Sequence, residues 1–181
     1  MTRTERAAVR RADREANRGY VKSRLVLSLF RSAQYWRGTR GPGRVMHVLV
    51  GGFYKVLSEW ILGVELPAST VVGPGLRLRH GVGLVVNPGA RIGANVMLRH
   101  GVTIGNRGDR DESPTIGDHV EIGAGATIVG SIRIGDHARI GPGTLVTEDV
   151  PAWSVVLPAR AVVRPRRDAP VREVPKLDAA S

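Results

Sequence analysis

The chain contains no cysteine, which excludes disulfide bonds and metal sites built from thiolates. Aromatic residues make up only 4% of it. Long apolar runs are also missing, because the most apolar stretch, Val45–Leu62, is broken by Lys55, Ser58 and Glu59. The charged first 18 residues are not followed by an apolar run and a cleavage site, as a secretory signal would be. We therefore expect a cytoplasmic protein.

Acidic residues are scarce at the N-terminus. The formal net charge of the 181 residues is +11, and residues 1–44 contain 12 Lys/Arg against three acidic residues. Such an asymmetry is typical of proteins that bind nucleic acid, an anionic membrane or a polyphosphorylated ligand. The aromatic platforms that bind single-stranded nucleic acid are missing. We expect no nucleic-acid partner, and we predict that the basic N-terminus contacts the inner face of the membrane peripherally.

Glycine, in contrast, is abundant, and an aliphatic residue recurs every six positions. The repeat runs through Val86, Ile92, Leu98, Ile104, Ile116, Ile122, Ile128, Ile134, Ile140 and Val146, with glycine often following directly. A period of six indicates a short strand and a corner, repeated, with one aliphatic side chain per face inside a prism. Three hexads close one coil, so residues eighteen apart stack. The repeat predicts a mainly β protein, a left-handed parallel β-helix over residues 64–157.

Two interruptions of the repeat mark a site. One is the offset around residues 79–83, and the other is the stretch 106–114, where Arg110 replaces an aliphatic residue. A loop that leaves a solenoid has no function in the core and usually shapes a binding site. We expect these two segments to line it.

The flanking segments differ in composition from the repeat. Residues 1–20 are predicted to be basic and flexible. Residues 21–63 are predicted to form two helices joined by a turn at 38–43, with Leu25, Leu29 and Trp36 near one face of the first. The second helix has an apolar face that contains Val48, Leu49, Phe53, Val56, Leu57 and Trp60. Residues 158–181 are predicted to be a closing segment and a basic tail.

The segments GVTIGNRG at 101–108, IGAGATIVGSIRIGDHARIGPGTLV at 122–146 and PAR at 158–160 carry a family resemblance. They resemble the serine acetyltransferase branch of the hexapeptide acyltransferases, and most of all its short members of the colanic acid acetyltransferase type. The resemblance covers about residues 60–165. It implies a homotrimer with sites between neighbouring subunits, acetyl-CoA along the groove between them as co-substrate, and a histidine base.

Individual residues match the family's pattern unevenly. His80 in LRHGVGLVV matches the catalytic histidine, and Glu65 in GVELPA matches its carboxylate partner. Arg79 stands where the serine enzymes have an acid that holds the amino group of serine. Glu112 and Ser113 stand where those enzymes have the arginine and histidine that meet the serine carboxylate. Both departures remove groups that recognise a free amino acid.

Histidine chemistry supports the same reading. His80 is suited to accept a hydroxyl proton, and Glu65 would hold its other ring nitrogen. His100, 20 residues later, is predicted to stack near His80 and to contact substrate or thioester. The alternative to a catalytic role is that each of these histidines is a structural residue at a corner, either packed against neighbours or exposed to solvent. The backbone amides of Gly105 and Asn106 are candidate donors to the thioester oxyanion.

The remaining candidate residues concern the two substrates. Ala124 and Pro142 are predicted to touch the pantetheine arm, and Arg160 with Arg164 the nucleotide phosphates, unless these arginines belong to a solvated tail. The acceptor, a small molecule or a glycan, would be met by Arg79, Arg107 and Arg110. The other histidines, His47, His119 and His137, are predicted to be structural or surface residues, with no metal site.

Three functions follow, in order of preference. The first is an acetyl-CoA-dependent O-acetyltransferase that acts on a hydroxyl of a sugar, an exopolysaccharide or a related small acceptor. The second is the serine O-acetyltransferase of cysteine biosynthesis. The third is a non-catalytic β-helix scaffold that binds an anionic membrane or nucleic acid.

Overall fold

The computed structural model describes residues 2–37, 41–108 and 112–162. Three helices come first: α1 (Arg3–Ala16), α2 (Val21–Trp36) and α3 (Pro42–Lys55), and α3 continues into a π-helical turn, Val56–Ile61. Short strands follow, each of two or three residues. They are β1 Val64–Glu65, β2 Val71–Val72, β3 Arg77–Arg79, β4 Leu84–Val86, β5 Arg91–Ile92, β6 Met97–Arg99, β7 Thr103–Gly105, β8 Thr115–Ile116, β9 Glu121–Ile122, β10 Thr127–Val129, β11 Arg133–Ile134, β12 Arg139–Ile140, β13 Leu145–Val146 and β14 Val155–Val156.

The strands wind into a three-sided prism. Every third strand pairs in parallel, so β1, β4, β7, β10 and β13 make the first face, β2, β5, β8 and β11 the second, and β3, β6, β9, β12 and β14 the third. Ile116 pairs with Ile134, and Ile122 with Ile140, which is the predicted spacing of eighteen. The predicted β-helix is confirmed.

The core is a column of aliphatic side chains inside the prism. Each strand alternates one inward and one outward residue, and the inward side chains of successive coils stack. The fully buried ones include Leu78, Leu84, Leu98, Ile104, Ile122, Ile128 and Ile134. Burying each such side chain contributes about 1.5–3 kcal/mol, so the column supplies most of the stability of the solenoid.

One corner of the prism carries a ladder of rings. Between the second and third faces, Asn95, His119, His137 and Trp153 all have positive φ, from 57° to 61°. The His119 and His137 rings are nearly parallel with centroids 4.8 Å apart, and Trp153 stacks on His137 at 4.0 Å. This ladder gives His119 and His137 a structural role at the corner.

Helices α1 and α2 close the open end of the solenoid. The carboxylate of Asp13 accepts hydrogen bonds from the amides of Gly75 and Leu76 and forms an ion pair with Arg31 at 2.8 Å. Arg31 in turn donates to the carbonyl oxygens of Val72 and Gly73. An open strand edge needs hydrogen-bond partners, and these two side chains supply them.

Residues 2–20 are therefore more ordered than predicted. Helix α1 begins with a capping box between Thr2 and Glu5 and is anchored near its end by the buried Asn17, whose side-chain amide donates to Leu76 O at 2.7 Å. The high charge of this segment suggested flexibility. The buried Asp13 and Asn17 explain the difference, because they pair with the strand edge and not with solvent.

Helix α2 also buries a different face from the one predicted. Leu25 is exposed, whereas Val26, Leu27, Phe30 and Ala33 are buried. Because α2 packs partly on a polar strand edge, Ser23 and Arg31 are buried too, and Ser23 donates to Leu78 O at 2.8 Å. An apolar-face pattern cannot show a helix that packs on backbone carbonyls.

The apolar face of α3 points away from the solenoid. Val48, Leu49, Phe53, Val56 and Trp60 are all exposed. Within the described residues, no helix is long and apolar enough to cross a membrane.

Candidate active site

His80 lies in a loop at the corner between the third and first faces, here called the His80 corner. Two extra residues there lengthen the coil, so that Val64 pairs with Leu84, twenty positions later. His80 has a φ of 57°, and its carbonyl oxygen accepts a hydrogen bond from Val82 N at 2.6 Å. The tight turn pushes the imidazole out of the prism, where it is exposed.

A second histidine lies directly beside the first. The ring of His100 is 6.5 Å from that of His80, centroid to centroid, with an interplanar angle of 75°. The ring of Tyr20, at the start of α2, meets His80 edge-on from another side at 6.1 Å. Two imidazoles and a phenol thus surround one exposed point of the surface.

Ala124 and Pro142 continue the same corner along the prism. Gly125 N donates to His100 O at 2.9 Å, and Gly143 N donates to Ala124 O at 2.8 Å, so these positions follow one another coil by coil. Ala124 and Pro142 line a shallow cavity of about 290 Å³ on the third face. The wall of that cavity also includes Met97, Arg99, Glu121 and Arg139. A groove with small residues at its edge can hold an extended chain such as a pantetheine arm.

Glu65 is not the partner of His80 in this structure. Glu65 is exposed on the first face, in register with Val85, and among the described residues no hydrogen bond or ion pair joins it to His80. Strand alternation sets the direction of this side chain: Val64 fills the core, so Glu65 points outward from the first face. The predicted orienting contact is therefore absent within one chain.

Arg79 is also engaged differently from the prediction. Its guanidinium donates to Asn17 Oδ1 at 3.2 Å and to Ala16 O at 3.0 Å, and it lies over the ring of Tyr20 at 4.1 Å from the centroid. The side chain is half-buried beneath the junction of α1 and α2. It contributes positive charge next to His80 and holds Tyr20 in position, and it is not presented freely to a substrate.

Tyr20 and Asn17 were missed by the sequence reasoning. Both lie at the junction of α1 and α2, about sixty positions before His80, and no local pattern relates them to the repeat. The one available signal was an isolated aromatic residue after Gly19, in a chain with only three tyrosines.

Gly105 and Asn106 lie at a different corner from His80. Gly105 is the last residue of β7 and Asn106 follows it, so both stand between the first and second faces, here called the loop corner, whereas His100 precedes β7. Strand β7 crosses the first face between His100 and Asn106, so the width of that face separates them. The predicted oxyanion donors are therefore not brought to His80 within one chain.

The loop corner is organised by amide side chains. Asn87 Nδ2 donates to Asn106 Oδ1 at 3.3 Å, and Ser113 Oγ donates to Asn87 Oδ1 at 2.9 Å. Asn106 Nδ2 donates to Gly108 O at 3.0 Å. Arg107 is exposed beside this network, which orders the described part of the loop.

The remaining predicted arginines lie near the end of the chain or outside the described residues. Arg160 is exposed and follows β14, whose Val156 O accepts a hydrogen bond from Gly141 N next to Pro142. Arg110 and Arg164 fall outside the described residues. In the part of the chain that the structure describes, no group of three or more His, Cys, Asp or Glu residues could hold a metal ion.

A parallel β-helix built from six-residue repeats is the fold of the hexapeptide transferases. The family model "Bacterial transferase hexapeptide (six repeats)" matches residues 113–148. The protein of Escherichia coli K12 named "Putative colanic acid biosynthesis acetyltransferase WcaB" is 33% identical over 156 residues, which cover 84% of this chain and 96% of WcaB. The chain belongs to the hexapeptide-repeat acetyltransferases and is an acetyltransferase.

Serine acetyltransferases are similar in sequence and in structure. Serine acetyltransferase 4 of Arabidopsis thaliana is 35% identical over 140 residues, 76% of this chain and 38% of that protein. The crystal structure of the serine acetyltransferase of Brucella abortus strain S19 in complex with coenzyme A has a TM-score of 0.72 and 27% identity. It covers 87% of this chain and 68% of that one. The left-handed β-helix and the helices before it are thus shared with this branch.

Proposed function

We propose that the protein transfers an acetyl group from acetyl-CoA to a hydroxyl of a sugar, an exopolysaccharide or a related small acceptor, with His80 as the general base. The observation that carries the proposal is the exposed His80 imidazole at the head of the corner that continues through His100, Ala124 and Pro142. The relative with bound coenzyme A supports acetyl-CoA as the donor.

In the proposed reaction, a ring nitrogen of His80 accepts the acceptor's hydroxyl proton while the hydroxyl oxygen attacks the thioester carbonyl carbon. A carbon–oxygen bond forms, the carbon–sulfur bond breaks, and the imidazolium returns the proton to the departing thiolate. General base catalysis of this kind contributes about 10²–10⁴ in rate. His100, whose ring lies 6.5 Å from that of His80, would contact the acceptor or the thioester.

The complete site requires a second chain. Because the His80 corner and the loop corner are separated by the width of the first face, His80 of one subunit would work with the loop of its neighbour in a homotrimer. In that arrangement the amides of Gly105 and Asn106 would face the oxyanion, and Arg107 and Arg110 the acceptor. Arg160 and Arg164 would meet the nucleotide phosphates.

The charge beside His80 favours a sugar over serine as acceptor. The guanidinium of Arg79 lies where a serine ammonium would need an acid, and its contacts with Asn17 and Tyr20 hold it there. A second cation at this point would be repelled. The relation to the colanic acid enzyme over nearly its whole length supports the same choice. The relation to serine acetyltransferases keeps serine as the second candidate.

Release of free coenzyme A thiol, measured with sugar and oligosaccharide acceptors and with L-serine, tests the proposal. We expect turnover with a hydroxylated sugar and little with serine. His80→Gln should lower kcat by about 10²–10⁴ without weakening coenzyme A binding by calorimetry. His119→Gln is the matched control, since His119 is also an exposed corner histidine, with a φ of 58°. Robust serine turnover would support the second candidate, and absence of coenzyme A binding would support a non-catalytic scaffold.

A further inference from the structure

The helix before the solenoid presents an apolar surface that no other described part of the chain, residues 2–37, 41–108 and 112–162, covers. It consists of the outward residues of α3 and the π-helical turn, here called the α3 stripe: Val45, Val48, Leu49, Phe53, Val56 and Trp60. Their spacing follows one side of the helix over four turns. Leu49 is 61% exposed, Phe53 59% and Trp60 82%.

The α3 stripe is more than a scatter of surface residues. Large apolar side chains are normally exposed one at a time, and a contiguous patch marks a surface that binds something. In the segment 43–61, only Tyr54 and Ser58 are buried. The Tyr54 hydroxyl donates to Leu66 O at 2.6 Å and so attaches the helix to the first coil. The helix is thus fixed with its apolar side outward.

Charge identifies the partner. Residues 1–62 contain 13 Lys/Arg against four Asp/Glu, whereas residues 63–157 contain eight against nine. The net positive charge of residues 1–157 therefore lies in the helical segment that carries the α3 stripe. Two copies that met through this stripe would bring two such segments together, which costs electrostatic energy. An anionic surface would gain energy from the same charges.

We propose that the α3 stripe docks on the surface of an anionic lipid bilayer. Helix α3 would lie in the plane of the interface, with Leu49 and Phe53 at the boundary of headgroups and acyl chains. Trp60 would sit at headgroup depth, as tryptophan does in membrane proteins. Arg44 and Lys55, both exposed on the same helix, would contact lipid phosphates.

This docking would turn the His80 end of the molecule toward the membrane. The π-helical turn ends at Ile61, and two residues later Gly63 O accepts a hydrogen bond from Gly83 N at 2.7 Å. Gly83 belongs to the His80 loop, whereas Trp153 lies in the last coil, at the opposite end. The proposal does not rest on the proposed function, because binding to lipid requires neither coenzyme A nor an acceptor.

Vesicle flotation of the full chain tests the docking. We expect binding to vesicles in which phosphatidylglycerol replaces a third of the phosphatidylcholine, and weak binding to phosphatidylcholine alone. Leu49→Glu combined with Phe53→Glu should weaken binding at least about tenfold. Leu145→Glu is the matched control: Leu145 is 65% exposed on β13, and its substitution should leave binding unchanged. Equal binding by both variants, or no binding by the wild type, would overturn the proposal.

A second measurement locates Trp60 directly. In Trp36→Phe/Trp153→Phe, Trp60 is the remaining tryptophan, since the chain has three. Its emission should shift to the blue on anionic vesicles and be quenched by brominated lipid. An unshifted, unquenched emission would contradict the docking.

Sedimentation velocity tests whether a second copy of the chain covers the α3 stripe instead. If the wild type does not bind vesicles and Leu49→Glu/Phe53→Glu lowers the molar mass of the protein in solution, the stripe is an interface between copies and the lipid proposal is wrong.

Discussion

The guanidinium of Arg79 lies 4.1 Å from the ring centroid of Tyr20, and that ring meets His80 at 6.1 Å. A residue of the first coil and a residue of the helical segment thus form one wall beside the histidine. Asn17 fixes the wall, because its Oδ1 accepts hydrogen bonds from Arg79 and from Leu78 N. The helical segment therefore belongs to the site as well as to the end cap of the solenoid.

Replacing Tyr20 should affect the acceptor and not coenzyme A. In Tyr20→Ala, Arg79 loses the ring beneath it and the wall beside His80 opens. We expect kcat/KM for the acceptor to fall about tenfold or more through misplacement of the hydroxyl. Tyr20→Phe retains the ring and should stay close to wild type. Steady-state kinetics with each substrate varied in turn distinguishes an effect on the acceptor from an effect on acetyl-CoA.

Tyr35 supplies the control for Tyr20. It is also a tyrosine with an arginine over its ring, Arg6 at 4.6 Å, but it lies at the other end of α2. Tyr35→Ala should leave kcat/KM unchanged both for the acceptor and for acetyl-CoA. If Tyr35→Ala and Tyr20→Ala lose the same activity, the effect comes from destabilised helices and the assignment of Tyr20 is wrong.

Asp13 should be the most costly acidic residue to remove from α1. It is buried, paired with Arg31 at 2.8 Å, and accepts from two backbone amides. Asp13→Ala leaves a buried cation and two amides without their partner, which costs about 3–5 kcal/mol. Glu15→Ala, an exposed acid on the same helix, should change stability by less than about 0.5 kcal/mol. Urea unfolding of both variants measures the difference, and equal midpoints would contradict the capping role.

The solenoid could be predicted from the sequence because its constraint repeats. An inward aliphatic residue such as Ile116 or Ile134 must recur every six residues, once for each wall of the prism. The same sequence pattern is therefore found in every coil, and its repetition makes the fold recognisable. The helical segment has no repeat. The burial of Asp13 and Arg31 depends on the strand edge of the first coil, about sixty and forty positions away. No local pattern encodes such a partner.

The site was predictable in part for the same reason. The offset in the repeat located His80, and the separation of twenty residues indicated His100 beside it. Within one chain no contact joins Glu65 to His80, and the role of Glu65 as the orienting carboxylate stays a prediction. Gly105 and His80 lie at different corners of a single prism, so the predicted role of Gly105 as an oxyanion donor depends on the neighbouring subunit that the resemblance implies. These two corners can meet only between neighbouring chains of an assembly. The six-residue repeat determines the shape of one prism and does not determine how prisms pack against one another.

High pH should destabilise the attachment of α3 through Tyr54. Burial raises the pKa of the Tyr54 hydroxyl above its ordinary value, so the folded state holds this proton more tightly than the unfolded state does. The contribution to stability is complete below about pH 10 and is lost as pH rises further, with a slope of about 1.4 kcal/mol per pH unit. Urea unfolding between neutral and alkaline pH measures the slope. Tyr54→Phe should remove this part of the slope, whereas Tyr35→Phe should not.

Gly73 and Gly52 should respond in opposite directions to the same substitution. A Cβ on Gly73 would stand 2.6 Å from the carbonyl carbon of Gly93 in the next coil, so backbone must move to admit it. We expect Gly73→Ala to cost about 1–3 kcal/mol through overpacking. Nothing lies within 4 Å of a Cβ on Gly52 in the middle of α3, and Gly52→Ala should gain about 0.5–1 kcal/mol from helix propensity. Thermal unfolding of the two variants checks both signs. A Gly73→Ala variant as stable as wild type would show that adjacent coils are packed more loosely than their backbone spacing implies.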